Sequence, residues 1–148
     1  MNVDSAQTIL DSPDGCHALR IRKLARRVTQ LYDEALAPYG LTIGQMGILA
    51  NLRRKRGIGI AGLAERLGSD ASTLSRLLKP LANAGLISIE PDPDDRRAKL
   101  LQLTELGAEK KRAATVGWQA AQARIGDQLG SSRLSALRFI LDDSLQNL

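Results

Sequence analysis

The stretch EPDPDDRRAKLLQLT, Glu90–Thr104, constrains this chain more than any other. Its first half carries four carboxylates, two adjacent arginines and two prolines, so no helix can run through it. Short apolar runs flank it, ISIE before and KLLQL after, and both have strand length. A charged, proline-stiffened finger between two short strands is a hairpin with a long tip. Its meaning depends on what precedes it.

What precedes it is IAGLAERLGSDASTLSRLLKPLANAGL, Ile60–Leu86. Leu63, Ala64 and Leu67 repeat at helical spacing, and Gly68 suits a left-handed C-terminal cap. Ser69 or Asp70 then caps a second helix that buries Leu74, Leu77, Leu78 and Leu81. Two helices joined by a short glycine-containing turn form a helix-turn-helix. Pro80 removes one backbone bond from the second helix and is expected to bend it beyond Lys79. The hairpin follows directly, which makes a winged-helix arrangement. The second helix can then enter a major groove while the finger reaches the neighbouring minor groove or backbone.

The flanking segments read as helices. Leu19, Leu24, Val28, Leu31 and Ala35 form a stripe over residues 16–37, ended by Pro38 and Gly40. Thr42 caps a helix expected to reach Arg54. Thr104 caps a long helix containing Gly107, Gly117 and Gly126, glycines that permit close packing. Ser131 or Ser132 is expected to cap a last helix with Leu134, Leu137, Ile140, Leu141 and Leu145 as its stripe. The fold class is therefore mostly α: a winged helix-turn-helix with a two-stranded β-wing, plus N- and C-terminal helices. Residues 1–15 read as a flexible tail without the pattern of a signal peptide.

Composition narrows the function. With four aromatic side chains in 148 residues, any core is aliphatic. No apolar run approaches the roughly 20 residues that span a bilayer. A single cysteine forbids an intramolecular disulfide and fits a reducing cytoplasm. The net charge of +5 suggests polyanion affinity without establishing it. Catalytic motifs are missing: there is no glycine-rich phosphate loop, no zinc-protease helix motif, no nucleophile elbow, and His17 is the sole histidine. His17 and Cys16 alone cannot build a zinc site. The chain is read as a non-enzyme without metal or cofactor.

The segment LAERLGSDASTLSRLLKPLANAGLI followed by PDPDDRRAKLLQLTELG resembles the multiple-antibiotic-resistance regulator (MarR) family of bacterial transcription factors. Gly85-Leu86, Asp92-Pro93, Asp95-Arg96-Arg97 and Leu103-Thr104 with Gly107 carry the likeness. It implies a homodimer on pseudo-palindromic double-stranded DNA. Residues 16–37 and 104–148 would supply the dimerisation helices, and residues 38–103 the DNA-binding domain. The alternative is that the terminal helices pack within one chain. The resemblance further implies a repressor, and release of DNA by a small aromatic or phenolic effector; Arg20, Arg22 and Tyr39 are the contacts considered for one.

For DNA reading the sequence offers Ser72, Thr73, Ser75, Arg76 and Lys79. Small hydroxyls let a helix approach base edges, where they donate or accept. Arg76 suits a guanine edge or a phosphate, and Lys79 a phosphate. The competing role is that Ser72 and Thr73 only cap the helix start. On the wing, Arg97 matches the family's minor-groove arginine, with Arg96 beside it. Asp95 is expected to orient one of them through a carboxylate–guanidinium pair. Cys16 lies near the place of the reactive cysteine of the family's organic-hydroperoxide sensors, at a helix start that favours a thiolate. Tyr32 and Tyr39 do not stand at the spacing expected of such a sensor, so an idle thiol is the stronger reading. A winged-helix protein–protein adaptor without DNA binding is the rival function; it would need an apolar or acidic recognition face.

Overall fold

A computed structural model describes residues 15–148, so the tail expected over 1–15 lies almost wholly outside the described residues. Helix α1 runs His17–Leu36, with a 3-10 turn at Ala37–Tyr39. Helix α2 runs Ile43–Asn51 and opens on a full capping box. Thr42 Oγ1 accepts from the Gln45 N–H at 3.2 Å, and Gln45 Oε1 accepts from the Thr42 N–H at 3.1 Å. Asp33 of α1 also accepts from the Ile43 N–H at 2.7 Å, placing a carboxylate at the positive end of α2. The helix stops at Asn51, short of the expected Arg54. Leu52 turns extended and is fully buried, so the core claims that side chain at the cost of another helical turn.

Strand β1, Ile58–Gly59, was not expected; it pairs antiparallel with β3. Helix α3 (Ile60–Leu67) ends at Gly68 with φ +58°, and α4 (Ala71–Asn83) begins one residue after Asp70. Strands β2 (Ile87–Pro91) and β3 (Lys99–Leu103) make the hairpin, so the sheet has three strands in the order β1-β3-β2 rather than two. Helix α4 runs through Pro80 to Asn83. Pro80 and Arg76 are both exposed, so the carbonyl that loses its donor faces solvent.

The core is aliphatic. Leu36, Ile48, Leu49, Leu52, Leu63, Leu74, Leu81 and Leu101 are sealed from solvent, and the described residues bury no polar side chain. Helix α5 (Glu105–Leu129) presents a face of small residues, Gly107, Ala114, Gly117 and Ala121. A side chain at Gly107 would collide with the Leu86 carbonyl, and one at Gly117 with the Ala35 carbonyl, so these two glycines allow backbone contact. Gly126 makes no such approach. Helix α6 (Ser131–Asn147) follows after Gly130 alone. Gly130, with φ +75°, is its N-cap, and neither Ser131 nor Ser132 caps it, because the hinge is one residue long and both serines are already helical.

Helix α6 buries none of its residues in its own chain. Of the expected stripe, Leu134 and Leu137 are half-buried while Ile140, Leu141 and Leu145 are exposed, as is Phe139. Leu19, Ile21 and Leu24 near the start of α1 are exposed too. A helix of 17 residues with an apolar stripe has little stability without a surface to cover it.

Candidate nucleic-acid interface

The recognition helix is built from its cap outward. Asp70 caps α4: its Oδ1 accepts the Thr73 N–H at 2.8 Å. Its Oδ2 accepts the Thr73 hydroxyl at 2.7 Å. These bonds from the Thr73 N–H and then its hydroxyl hold the Asp70 carboxyl below the ordinary aspartate range. Ser69, the other cap considered, instead turns its hydroxyl to the Asp70 carbonyl at 3.3 Å. Leu74, Leu78 and Leu81 anchor one face of α4, with Leu77 half-buried beside them. The opposite face carries Ser72, Thr73, Ser75, Arg76 and Lys79, all exposed. Ser75 gives its hydroxyl proton to the Ala71 carbonyl at 2.8 Å. Capping is thus done by Asp70 with Thr73 as its partner, and the Ser72 N–H adds a weaker pull on the same carboxylate.

The wing tip is closed by its own backbone. The Asp92 N–H donates to the Ala98 carbonyl and the Ala98 N–H to the Asp95 carbonyl, both at 2.9 Å. Asp92 Oδ1 accepts from the Asp94 N–H at 2.9 Å. Asp95 does support the tip, but not through a guanidinium. Its Oδ1 accepts the Arg97 N–H at 3.0 Å, and among the described residues no ion pair joins it to Arg96 or Arg97. Both arginines stand exposed.

The wing root is tied to the start of α5. Thr104 Oγ1 donates to the Gly85 carbonyl at 2.6 Å and accepts from the Gly107 N–H at 3.0 Å. The Leu103 N–H donates to the Arg53 carbonyl at 3.0 Å, and Arg54 pairs with Glu105 at the start of α5. The partner of Arg54 lies 51 positions away, where no local pattern reveals it. Arg53, Arg56 and Arg66 also line an open groove of about 380 Å³ beside β1.

Other expected sites are not brought together. Arg20 lies in the first turns of α1, and Tyr39 lies beyond its end, packed near Gly117. Roughly 24 Å of helix separates Arg20 from Leu36, so Arg20, Arg22 and Tyr39 cannot line one pocket within a single chain. Cys16 is the partly exposed N-cap residue of α1, and Tyr32 sits about four turns further along. Among the described residues no helix is long and apolar enough to cross a membrane.

Residues 41–99 match the profile of the MarR family. The chain is 32% identical over 97 residues to the transcriptional regulator HosA of Escherichia coli O111:H-, covering 66% of this chain and 70% of that protein. The structure of the M. tuberculosis transcriptional regulator MosR in complex with DNA superposes with a TM-score of 0.73 at 30% identity, covering 89% of this chain and 97% of the other. A mutant of MarR from E. coli, complexed with operator DNA, gives a TM-score of 0.75 at 25% identity, covering 84% and 90%. Fold, wing and sequence agree: the chain belongs to the MarR family of transcriptional regulators.

Proposed function

We propose that this DNA-binding regulator acts as a homodimer on a pseudo-palindromic operator, with α4 in the major groove and the wing beside it. Ser72, Thr73, Ser75, Arg76 and Lys79 meet bases and phosphates, and Arg96 and Arg97 meet the adjacent minor groove or backbone. The observation that carries the reading is the two-sided character of α4. One face is sealed into the core, while the exposed face carries the hydroxyls of Ser72, Thr73 and Ser75 and the cations Arg76 and Lys79, and no acidic or large apolar side chain. An adaptor surface would be apolar or acidic, and this one is neither. The relatives crystallised with DNA support DNA as the partner.

The division of labour follows from the exposed apolar stripes. Residues 16–37 and 104–148 form the dimerisation region and residues 38–103 read DNA. Repression in the cytoplasm, relieved by a small aromatic or phenolic effector, is the family-typical mode.

The test is binding of the purified protein to its own upstream DNA against a scrambled duplex, at several salt concentrations. Preference for the native duplex with affinity falling steeply as salt rises supports the reading. Equal, weak binding to both, together with no duplex enriched from a genomic library, would refute it.

A further inference from the structure

Thr73 and Ser75 stand on the reading face, and both spend their hydroxyl proton within the protein. A hydroxyl carries one donor hydrogen and two acceptor lone pairs. Thr73 spends its hydrogen on Asp70 Oδ2 at 2.7 Å, and Ser75 spends its own on the Ala71 carbonyl at 2.8 Å. The two bonds differ in strength. Ser75 bonds a neutral carbonyl and can rotate away. Thr73 bonds a carboxylate that is itself fixed by the Thr73 N–H at 2.8 Å, and charge-assisted bonds are the stronger kind. Asp70 and Thr73 therefore form a closed ring at the first turn of α4, the part of a recognition helix that enters the groove.

We propose that Asp70 sets the polarity of base recognition: it makes Thr73 an acceptor-only reader, so the base that Thr73 meets in each half-site is adenine or cytosine. In the major groove adenine N6 and cytosine N4 are the donors, whereas guanine O6 and N7 and thymine O4 only accept. An acceptor facing guanine, thymine or a phosphate oxygen leaves two lone pairs opposed. Donation from this face then falls to Arg76, Lys79 and Ser72, whose hydroxyl bonds nothing among the described residues. The inference rests on the operator reading above and sharpens it to a base class at one position.

Asp70→Asn gives a test with a reversed sign. Asparagine keeps an oxygen for the Thr73 N–H, so the cap survives. Its amide N–H₂ then faces Thr73 Oγ1, which must accept, and the threonine proton is released toward the groove. The experiment selects duplexes from a random library with wild type, Thr73→Val, Thr73→Ser and Asp70→Asn. The position read by Thr73 is the one whose preference disappears in Thr73→Val.

There, wild type and Thr73→Ser should enrich the same pair, and on the strand that gives them adenine or cytosine Asp70→Asn should enrich guanine or thymine instead. In the wild-type duplex, replacing that base with its analogue lacking only the exocyclic amino group should weaken binding roughly 2- to 12-fold, the range of a single hydrogen bond. Unchanged affinity for the duplex lacking that amino group, or an unchanged preference in Asp70→Asn, would overturn this inference and leave the operator reading standing. Failure of wild type to enrich any duplex would overturn both.

Discussion

Gly107 and Gly126 lie in the same helix, yet alanine should have opposite effects at the two. In an open helix interior, glycine to alanine stabilises by about 1 kcal/mol. At Gly126 a Cβ would stand 3.8 Å from Leu134 Cδ2, an ordinary contact, so most of that gain should appear. At Gly107 a Cβ would strike the Leu86 carbonyl oxygen and sit 2.8 Å from Leu103 Cδ1. That carbonyl cannot swing away, because it accepts the Thr104 N–H at 3.2 Å. Relief requires α5 to move off the turn after α4. Overpacking costs about 1–3 kcal/mol, and a backbone obstacle belongs at the upper end. Subtracting the propensity gain leaves a net loss of about 2 kcal/mol. For a chain of this size that is a fall in melting temperature of roughly 4–8 °C, against a rise of roughly 2–4 °C for Gly126→Ala. Urea and thermal unfolding at one fixed protein concentration would measure both. Gly107→Ala as stable as wild type would refute the claim that α5 and the winged-helix unit meet backbone to backbone.

Four further outcomes are expected. Arg97→Ala should weaken operator binding by about 1–3 kcal/mol at fixed salt, and unchanged affinity would remove the wing from the interface. Leu141→Glu combined with Leu145→Glu should give monomers in sedimentation; a retained dimer would take α6 out of the dimer contact. The Asp70 carboxyl is lowered in the folded state, so its contribution is present above the unfolded value and lost as pH falls through the folded one. The stability difference between wild type and Asp70→Asn seen at neutral pH should therefore shrink below pH 3.8, and a difference independent of pH would contradict the cap geometry. If Cys16 senses peroxide, a small organic peroxide should release DNA from wild type but not from Cys16→Ser, and an equal response in both would exclude it.

The sequence reading was most accurate where the signal is local chemistry. Gly68 and Thr104 mark helix ends through their own backbone conformation or side-chain oxygen, so the end of α3 and the start of α5 could be placed to the residue, while the start of α4 was narrowed to Ser69 or Asp70. Strand β3 was legible because two helix caps and a proline-rich tip bound it. Strand β1 was not, since two residues show no periodicity and Ile58–Gly59 become a strand only by pairing with Leu101 and Leu100. The stop at Asn51 depends on the core claiming Leu52, which no local pattern reports. Likewise the stripe on α6 is visible in the sequence, but which surface it faces is decided by packing.

At the interface, residue types were readable and their protons were not. Ser72, Thr73, Ser75, Arg76 and Lys79 follow from helical phase alone. That Thr73 bonds Asp70, and that Asp95 bonds a backbone N–H rather than a guanidinium, requires coordinates.

The account stands or falls on how the dimer sits on DNA, and hydroxyl-radical footprinting of a duplex selected by the wild-type protein measures that directly. Two equal protected patches related by a dyad, centred about 10 base pairs or a multiple apart, with minor-groove protection beside each, are the predicted result. A single patch, or protection spread evenly along the duplex, would contradict it.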